Sequence, residues 1–260
     1  MDLHLKDKVV IVSGGAKGIG EGIVKALSGE GAIPIIVGRN REDNKKLVDE
    51  IIKAGGKAAF VTAELTKPEE SEKTVKQVLE KYSRIDGLIN NAGVNDGVNL
   101  EQGSYETFMS SLHKNLVHYY LLAHFSLPAL KQSKGSIVNI SSKVAETGQG
   151  GTSAYAAANG GRNAMTREWA VELLKYDIRV NAVIVAECYT PLYQKWISTL
   201  PDPKAALSAI SSKIPFQKRM TRAEEIADAV LFLLSDRSGH TTGQLLHVDG
   251  GYVHLDRAIS

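Results

Sequence analysis

At 260 residues, with 43% hydrophobic and 23% charged side chains, the chain has the make-up of a soluble globular protein able to bury a sizeable core. A formal charge of +2 argues against a dedicated nucleic-acid surface, no apolar run reaches membrane-spanning length, and the start Met-Asp-Leu-His-Leu-Lys-Asp-Lys is too charged for a signal peptide. Cys188 is alone, which excludes an intrachain disulfide and suits the cytoplasm, and the seven histidines show no paired spacing, so no metal is expected.

Lys8–Ser13 carries Val9, Val10, Ile11 and Val12, the apolar run of a buried strand. Ser13-Gly14-Gly15-Ala16-Lys17-Gly18-Ile19-Gly20 then runs into a helix with apolar Ile23, Val24 and Leu27. Glycines between a strand and a helix let backbone approach a pyrophosphate, and the helix N-terminus favours the anion. The flanking strand and helix favour nucleotide binding over a plain tight turn. Ile33–Val37 predicts a second strand ending in Gly38-Arg39-Asn40. NAD sites usually place an acid near this point, and none occurs before Glu42. Arg39 and Lys17 are either two cations for a 2′-phosphate or two solvated surface charges; the first reading favours NADP(H), with NAD(H) the alternative.

The alternation continues with an amphipathic helix at Asn44–Ala54, a strand at Ala58–Thr62 and a helix at Glu69–Tyr82. Gly87–Ile89 forms the core of a fourth strand closing on Asn90-Asn91-Ala92-Gly93. Tyr105–Lys131 predicts a long, interrupted helix with Asn115 in its middle, where an amide is either at the surface or functional. Ile137, Val138 and Ile140 mark the fifth strand, with Ser141 and Ser142 at its carboxyl end. Thirteen residues after Ser142, Tyr155 opens an alanine-rich helix with Asn159 and Arg162 on its own face. A phenol and a hydroxyl at a strand end can exchange a proton with a substrate oxygen; the plainer reading is a core tyrosine and a capping serine. Ile178–Val185 is the sixth strand and Leu245–Val248 the last, with an amphipathic helix at Ala223–Leu234 between them. The least regular stretch, about 187–213, bears Tyr189, Tyr193 and Trp196 and reads as a flap over the strand ends. Repeated strand–helix units without repeats or linkers imply one domain, 1–260, around a parallel, doubly wound sheet.

With these residues located, the chain resembles the short-chain dehydrogenase/reductases. The likeness rests on Gly14 to Gly20, Asn90-Asn91-Ala92-Gly93, the Ser142–Tyr155 spacing, Arg179-Val180-Asn181-Ala182-Val183, Thr190-Pro191-Leu192 and Asp249-Gly250-Gly251. The stretches Gly93 to Gly97, Ser142-Lys143 with Gly148-Gln149-Gly150, Ala186-Glu187 and Gly251 to Asp256 are similar to L-fucose dehydrogenases. The resemblance implies an α/β Rossmann-type single domain with helices on both faces, binding NAD(P) and a small-molecule substrate, assembled as a homotetramer whose tail from Tyr252 reaches a neighbouring subunit. It also implies Tyr155 as the proton-transfer residue, Ser142 on the same oxygen, and Asn115 holding a water in the relay. Gly14, Lys17, Gly18, Ile19 and Gly20 would line the cofactor phosphates and ribose. Glu64 and Leu65 would lie beside the adenine, Asn91, Ala92 and Gly93 at the far ribose, and Thr190 on the nicotinamide amide. For a sugar, Gln149 and Glu187 are the candidates for its hydroxyls, and Trp196 either stacks on the ring or packs the flap.

One departure stands out. The family places a lysine four residues after its tyrosine, and this chain has Asn159; Val185-Ala186 also replaces the usual Pro-Gly. The lysine's charge favours the ionised phenol, and a unit charge about 4 Å away at an effective dielectric of ~20 is worth about 4 kcal/mol. Three readings follow: an impaired enzyme, a substitute cation (Arg162 or Lys143), or a cofactor-binding protein with little turnover. An oxidoreductase acting at a sugar C1 hydroxyl is the leading expectation, with reduction of another small carbonyl compound as the alternative.

Overall fold

The computed structural model describes residues 2–255. Seven parallel strands form one sheet: β1 (Val9–Ser13), β2 (Ile33–Gly38), β3 (Ala59–Thr62), β4 (Gly87–Asn90), β5 (Ser136–Ser142), β6 (Arg179–Val185) and β7 (Leu245–Val248). Their order is β3-β2-β1-β4-β5-β6-β7. The helices are α1 (Gly18–Gly29), α2 (Arg41–Lys53), α3 (Pro68–Tyr82), α4 (Tyr105–Leu112), α5 (His118–Ser133), α6 (Ser153–Glu172), α7 (Pro191–Ile197), α8 (Pro203–Ser212) and α9 (Ala223–Leu234).

Side chains of one strand alternate between two cores, which is why β1 is apolar throughout. Val10 and Val12 face Ile23 and Leu27 of α1, Leu47 of α2 and Ile226 and Val230 of α9. Val9 and Ile11 face Val75 and Val78 of α3, Leu122 of α5 and Trp169 of α6. The chain therefore winds in both directions from β1, and the sheet's switch point falls between β1 and β4, where strand ends leave a crevice for a ligand. Asn91 closes that point: its backbone N–H donates to Ser13 Oγ at 2.9 Å and its Nδ2 to the Ser13 and Gly14 carbonyls at 3.0 and 3.1 Å.

The expected strands and helices are present, with ends shifted by one to three residues. The interruption expected near Asn115 is a π-helical turn, His113–Val117, between α4 and α5. The stretch 187–213 is more regular than its sequence suggests, because two Xaa-Pro starts carry caps. Thr190 Oγ1 accepts from Tyr193 N at 3.2 Å and Asp202 Oδ1 from Ala205 N at 3.0 Å, each ahead of a proline at the first helical position. The tail expected to reach a neighbour runs on through 256–260, outside the described residues.

Candidate active site

The glycine loop is shaped by contact with its surroundings. Gly14 has φ +64°, and a Cβ there would sit 2.9 Å from Ala92 Cα. At Gly20 a Cβ would come within 2.2 Å of the Gly14 carbonyl oxygen. Only glycine lets the loop, α1 and the Asn91-Ala92-Gly93 segment close this tightly. Thr190 lies across the same loop, its Cβ 3.1 Å from where a Gly18 Cβ would be. The N-cap of α1, Lys17, makes no side-chain cap, so the first-turn N–H groups keep their capacity for an anion. Ile19 packs against the first core, and Ala92 and Leu65 belong to the second. This cradle fits a dinucleotide, whose pyrophosphate the start of α1 would hold.

The two cations at its rim have partners. Lys17 Nζ is 2.6 Å from Asp43 and Arg39 Nη1 is 3.7 Å from Glu64, both at the surface. Glu64 also accepts from Thr66 Oγ1 at 3.0 Å, turning one carboxylate oxygen back on its own loop. Exposed pairs of this kind are weak and can be exchanged for a phosphate.

Ser142 ends β5, and its Oγ accepts from Val144 N at 3.4 Å. Tyr155 stands in the first turn of α6, half-buried, with no hydrogen bond from its hydroxyl to another described residue. Ser141 Oγ donates to the Asn159 carbonyl at 3.3 Å and ties α6 to the strand end. Asn159 is fully buried, and both ends of its amide are occupied. Nδ2 donates to the Tyr155 carbonyl at 2.8 Å, and Oδ1 accepts from Arg162 Nη1 at 3.0 Å.

Arg162, 3% exposed, is a buried cation beside Asn159. Helical side chains lean toward the helix N-terminus, so the Arg162 guanidinium reaches back to Asn159. Its Nε donates to the Asn115 carbonyl at 2.7 Å and Nη1 also to the Ile140 carbonyl at 3.1 Å. The guanidinium lies 4.3 Å from the Tyr119 ring centroid. Nη2 is buried without a partner, and a Cβ on Gly93 would be 2.8 Å from it. Among the described residues no carboxylate comes within ion-pair distance of Arg162.

Asn115 occupies the middle of the π-turn and is fully buried, which rules out its surface alternative. A π-turn breaks the regular hydrogen-bond ladder, and here the Asn115 carbonyl receives Arg162. Its side chain accepts from Val94 N at 2.7 Å and donates to the Ser111 carbonyl at 3.0 Å. The field of this centre falls on neighbouring groups. Burial pushes the His118 imidazole down to about 4, with the Arg162 charge acting in the same direction, against the hydrogen bond its Nε2 donates to the Lys114 carbonyl. Burial raises the Tyr119 phenol, opposed by Arg162 and reinforced by Tyr155.

Beyond Ser142, Lys143 forms a buried ion pair with Glu187, the residue after the β6 exit at Ala186. The Lys143 ammonium sits 3.8 Å from the Tyr252 ring centroid. Burial raises the Tyr193 phenol, followed by the charge and hydrogen bond of Glu187. Trp196 stands edge-on to Tyr193 at 5.2 Å and remains half-exposed. Gln149 lies on the exposed loop before α6. Of the two candidate substitute cations, Lys143 is thus neutralised by Glu187. The Lys143–Glu187–Tyr252 grouping escaped the sequence because its members lie 44 and more residues apart.

A second grouping lies outside this centre. Glu146, His247 and His254 bring one ligand atom each within 4.8 Å of one another, with His247 Nε2 2.9 Å from Glu146 Oε2. No spacing rule links a loop glutamate to histidines over a hundred residues later, so histidine pairs in the sequence did not signal it.

A family described as enoyl-(acyl carrier protein) reductase matches residues 14–253. A 3-oxoacyl-(acyl-carrier-protein) reductase of Thermotoga maritima is 36% identical over 252 residues, 96% of this chain and 100% of that protein. An L-fucose dehydrogenase of Oryctolagus cuniculus is 33% identical over 245 residues, 94% of this chain and 84% of that protein. The crystal structure of Cj0485 dehydrogenase superposes with a TM-score of 0.94 at 46% identity, covering 100% of this chain and 99% of its own.

Proposed function

This chain belongs to the short-chain dehydrogenase/reductase family and is an oxidoreductase, and we propose that it oxidises the C1 hydroxyl of a pyranose such as L-fucose with NAD(P), giving a lactone. Residues 1–260 then act as one dinucleotide-binding domain, with 187–213 as the flap over the sugar. The observation that carries this reading is the buried Lys143–Glu187 pair beside Ser142, faced by Tyr193 and Tyr252. A sugar ring needs fixed donors and acceptors next to a flat apolar surface. Glu187, Lys143 and the loop residue Gln149 offer the first, and Trp196 offers the second. Similarity to an L-fucose dehydrogenase supports the same substrate class.

A bound nicotinamide would supply the acceptor for the C1 hydrogen as hydride. Tyr155 takes the hydroxyl proton, Ser142 donates a hydrogen bond to the same oxygen, and the C1–O bond becomes the lactone carbonyl. Gly14, Lys17, Gly18, Ile19, Gly20 and the start of α1 would hold the phosphates and ribose, Asn91, Ala92 and Gly93 the far ribose, and Thr190 the carboxamide. The NADP(H) form is favoured because Arg39 and Lys17 flank the end of β2 and their exposed carboxylate partners are readily displaced. NAD(H) is the alternative, and the expected assembly is a cytoplasmic homotetramer.

A second reading runs the same residues in reverse, with Tyr155 donating the proton during reduction of another small carbonyl compound; the similarity to a 3-oxoacyl reductase favours it. Purified protein given L-fucose or related aldoses should generate reduced nicotinamide absorbance. Silence across sugars, secondary alcohols and ketones, with cofactor bound, overturns both readings and leaves a binding protein.

A further inference from the structure

The family's lysine lies on the same helix face as its tyrosine, one turn on. In this chain that position is an uncharged, buried amide whose two ends are already bonded. A full positive charge has nonetheless been kept in the same centre, at Arg162. Burying a guanidinium without a carboxylate is unfavourable unless its hydrogen bonds are met and its charge is used. Here four of its contacts are to neutral groups: the Asn115 and Ile140 carbonyls, Asn159 Oδ1 and the Tyr119 ring. None of them neutralises the charge. The remaining nitrogen, Nη2, is buried and unpartnered directly beneath Gly93, whose backbone is exposed to the cleft.

We propose that Arg162 is the cation of the reaction centre, doing from beneath α6 what the lysine does elsewhere in the family, with Asn159 as the residue that positions it. The proposal rests on the reading of Tyr155 as the proton-transfer residue. The positive field favours the ionised phenol when the substrate hydroxyl gives up its proton. Asn159 cannot carry charge, but its Oδ1 fixes Nη1 while its Nδ2 holds the backbone of Tyr155, so one amide couples the guanidinium to the turn bearing the phenol. The Asn115 carbonyl, freed by the π-turn, holds Nε from the other side. Tyr119, between these elements, feels both Arg162 and Tyr155. Gly93 leaves room above Nη2, and a side chain there would collide with it.

This arrangement makes the two positions exclusive. A lysine at 159 would set an ammonium against the guanidinium and remove the Oδ1 acceptor. Asn159→Lys alone should therefore lower the melting temperature and give no gain in turnover. Arg162→Leu should move the inflection of the oxidation rate upward, since removing a nearby positive charge disfavours the ionised phenol. Turnover at pH 7 should fall about tenfold, with KM for the sugar little changed. Arg162→Lys should recover part of the loss. The double variant Asn159→Lys/Arg162→Leu, which restores the family's pattern, should regain the turnover lost in Arg162→Leu.

The experiment is this cycle of four proteins, each with a melting temperature, NADPH affinity by fluorescence and a tyrosinate difference spectrum taken against Tyr155→Phe. The spectrum needs no substrate, so the proposal is tested even if the sugar reading fails. Tyrosinate appearing at higher pH in folded Arg162→Leu, and returning in the double variant, supports the proposal. Unchanged spectra and pH profiles in a folded Arg162→Leu would overturn it, as would an Asn159→Lys gain independent of residue 162. If Arg162→Leu does not fold, Arg162→Lys and Arg162→Gln carry the same comparison between a charged and a neutral side chain.

Discussion

Arg162 Nη1 and Asn159 Oδ1 lie 3.0 Å apart on the helix that also bears Tyr155 in its first turn. That contact places a buried cation one turn beyond the position where the family carries its lysine. It turns an apparent loss of charge into a relocation.

The Lys143–Glu187 pair offers a test of substrate recognition. Glu187→Gln leaves a buried ammonium without its counter-charge, and stability should drop by roughly 2–4 kcal/mol. KM for the sugar should rise while NADPH affinity stays within about twofold. Adding Lys143→Met should return much of the stability without restoring KM. Gln149→Ala, on the exposed loop, should raise KM with no change in melting temperature. Calorimetry and steady-state kinetics separate these outcomes, and equal loss of sugar and cofactor affinity would point to general disruption.

Cofactor choice should turn on Arg39. Its contact with Glu64 is long, at 3.7 Å, and exposed, so little is lost when a phosphate replaces the carboxylate. Arg39→Ala should weaken NADPH binding about tenfold or more and leave NADH nearly unaffected. Equal effects on both cofactors, measured by fluorescence titration, would assign Arg39 to the surface alone.

A third expectation concerns acid stability of the α9 start. Glu225 accepts from Arg222 N at 2.9 Å and from both Nη atoms of Arg219 at 2.7 and 2.9 Å. The Arg219 hydrogen bonds, helped by that backbone bond, hold its carboxyl down at about 2 against an ordinary 4.5. A depressed folded-state value means stabilisation that is complete above about 4.5 and lost as pH falls toward 2. Because the group is near the surface, the contribution is modest, about 1 kcal/mol. Glu225→Gln should lower the melting temperature at pH 7 and make no difference near pH 2.

The sheet was legible because buried parallel strands read as short β-branched runs and because Gly14 to Gly20 sits between one such run and a helix. The clean amphipathic pattern of Ala223–Leu234 matches α9 residue for residue. The caps of α7 and α8 were legible in principle, since Thr190-Pro191 and Asp202-Pro203 are helix starts, but their few apolar positions gave no period to anchor them. The departure at Asn159 was visible in the chain. Its physical meaning was not, because helical rise alone puts Arg162 about 10 Å from Tyr155. The lean of the side chain and the carbonyl released at Asn115 are three-dimensional facts. Likewise Lys143 next to Ser142 suggested a second cation, and only the fold shows that Glu187 neutralises it.

The most direct test of the account is kcat/KM for L-fucose oxidation compared with that for reduction of a 3-oxoacyl thioester, in one preparation and with Tyr155→Phe beside it. The account predicts the larger value for the sugar, and loss of that activity in Tyr155→Phe. A larger value for the thioester, or sugar oxidation that survives Tyr155→Phe, would contradict it.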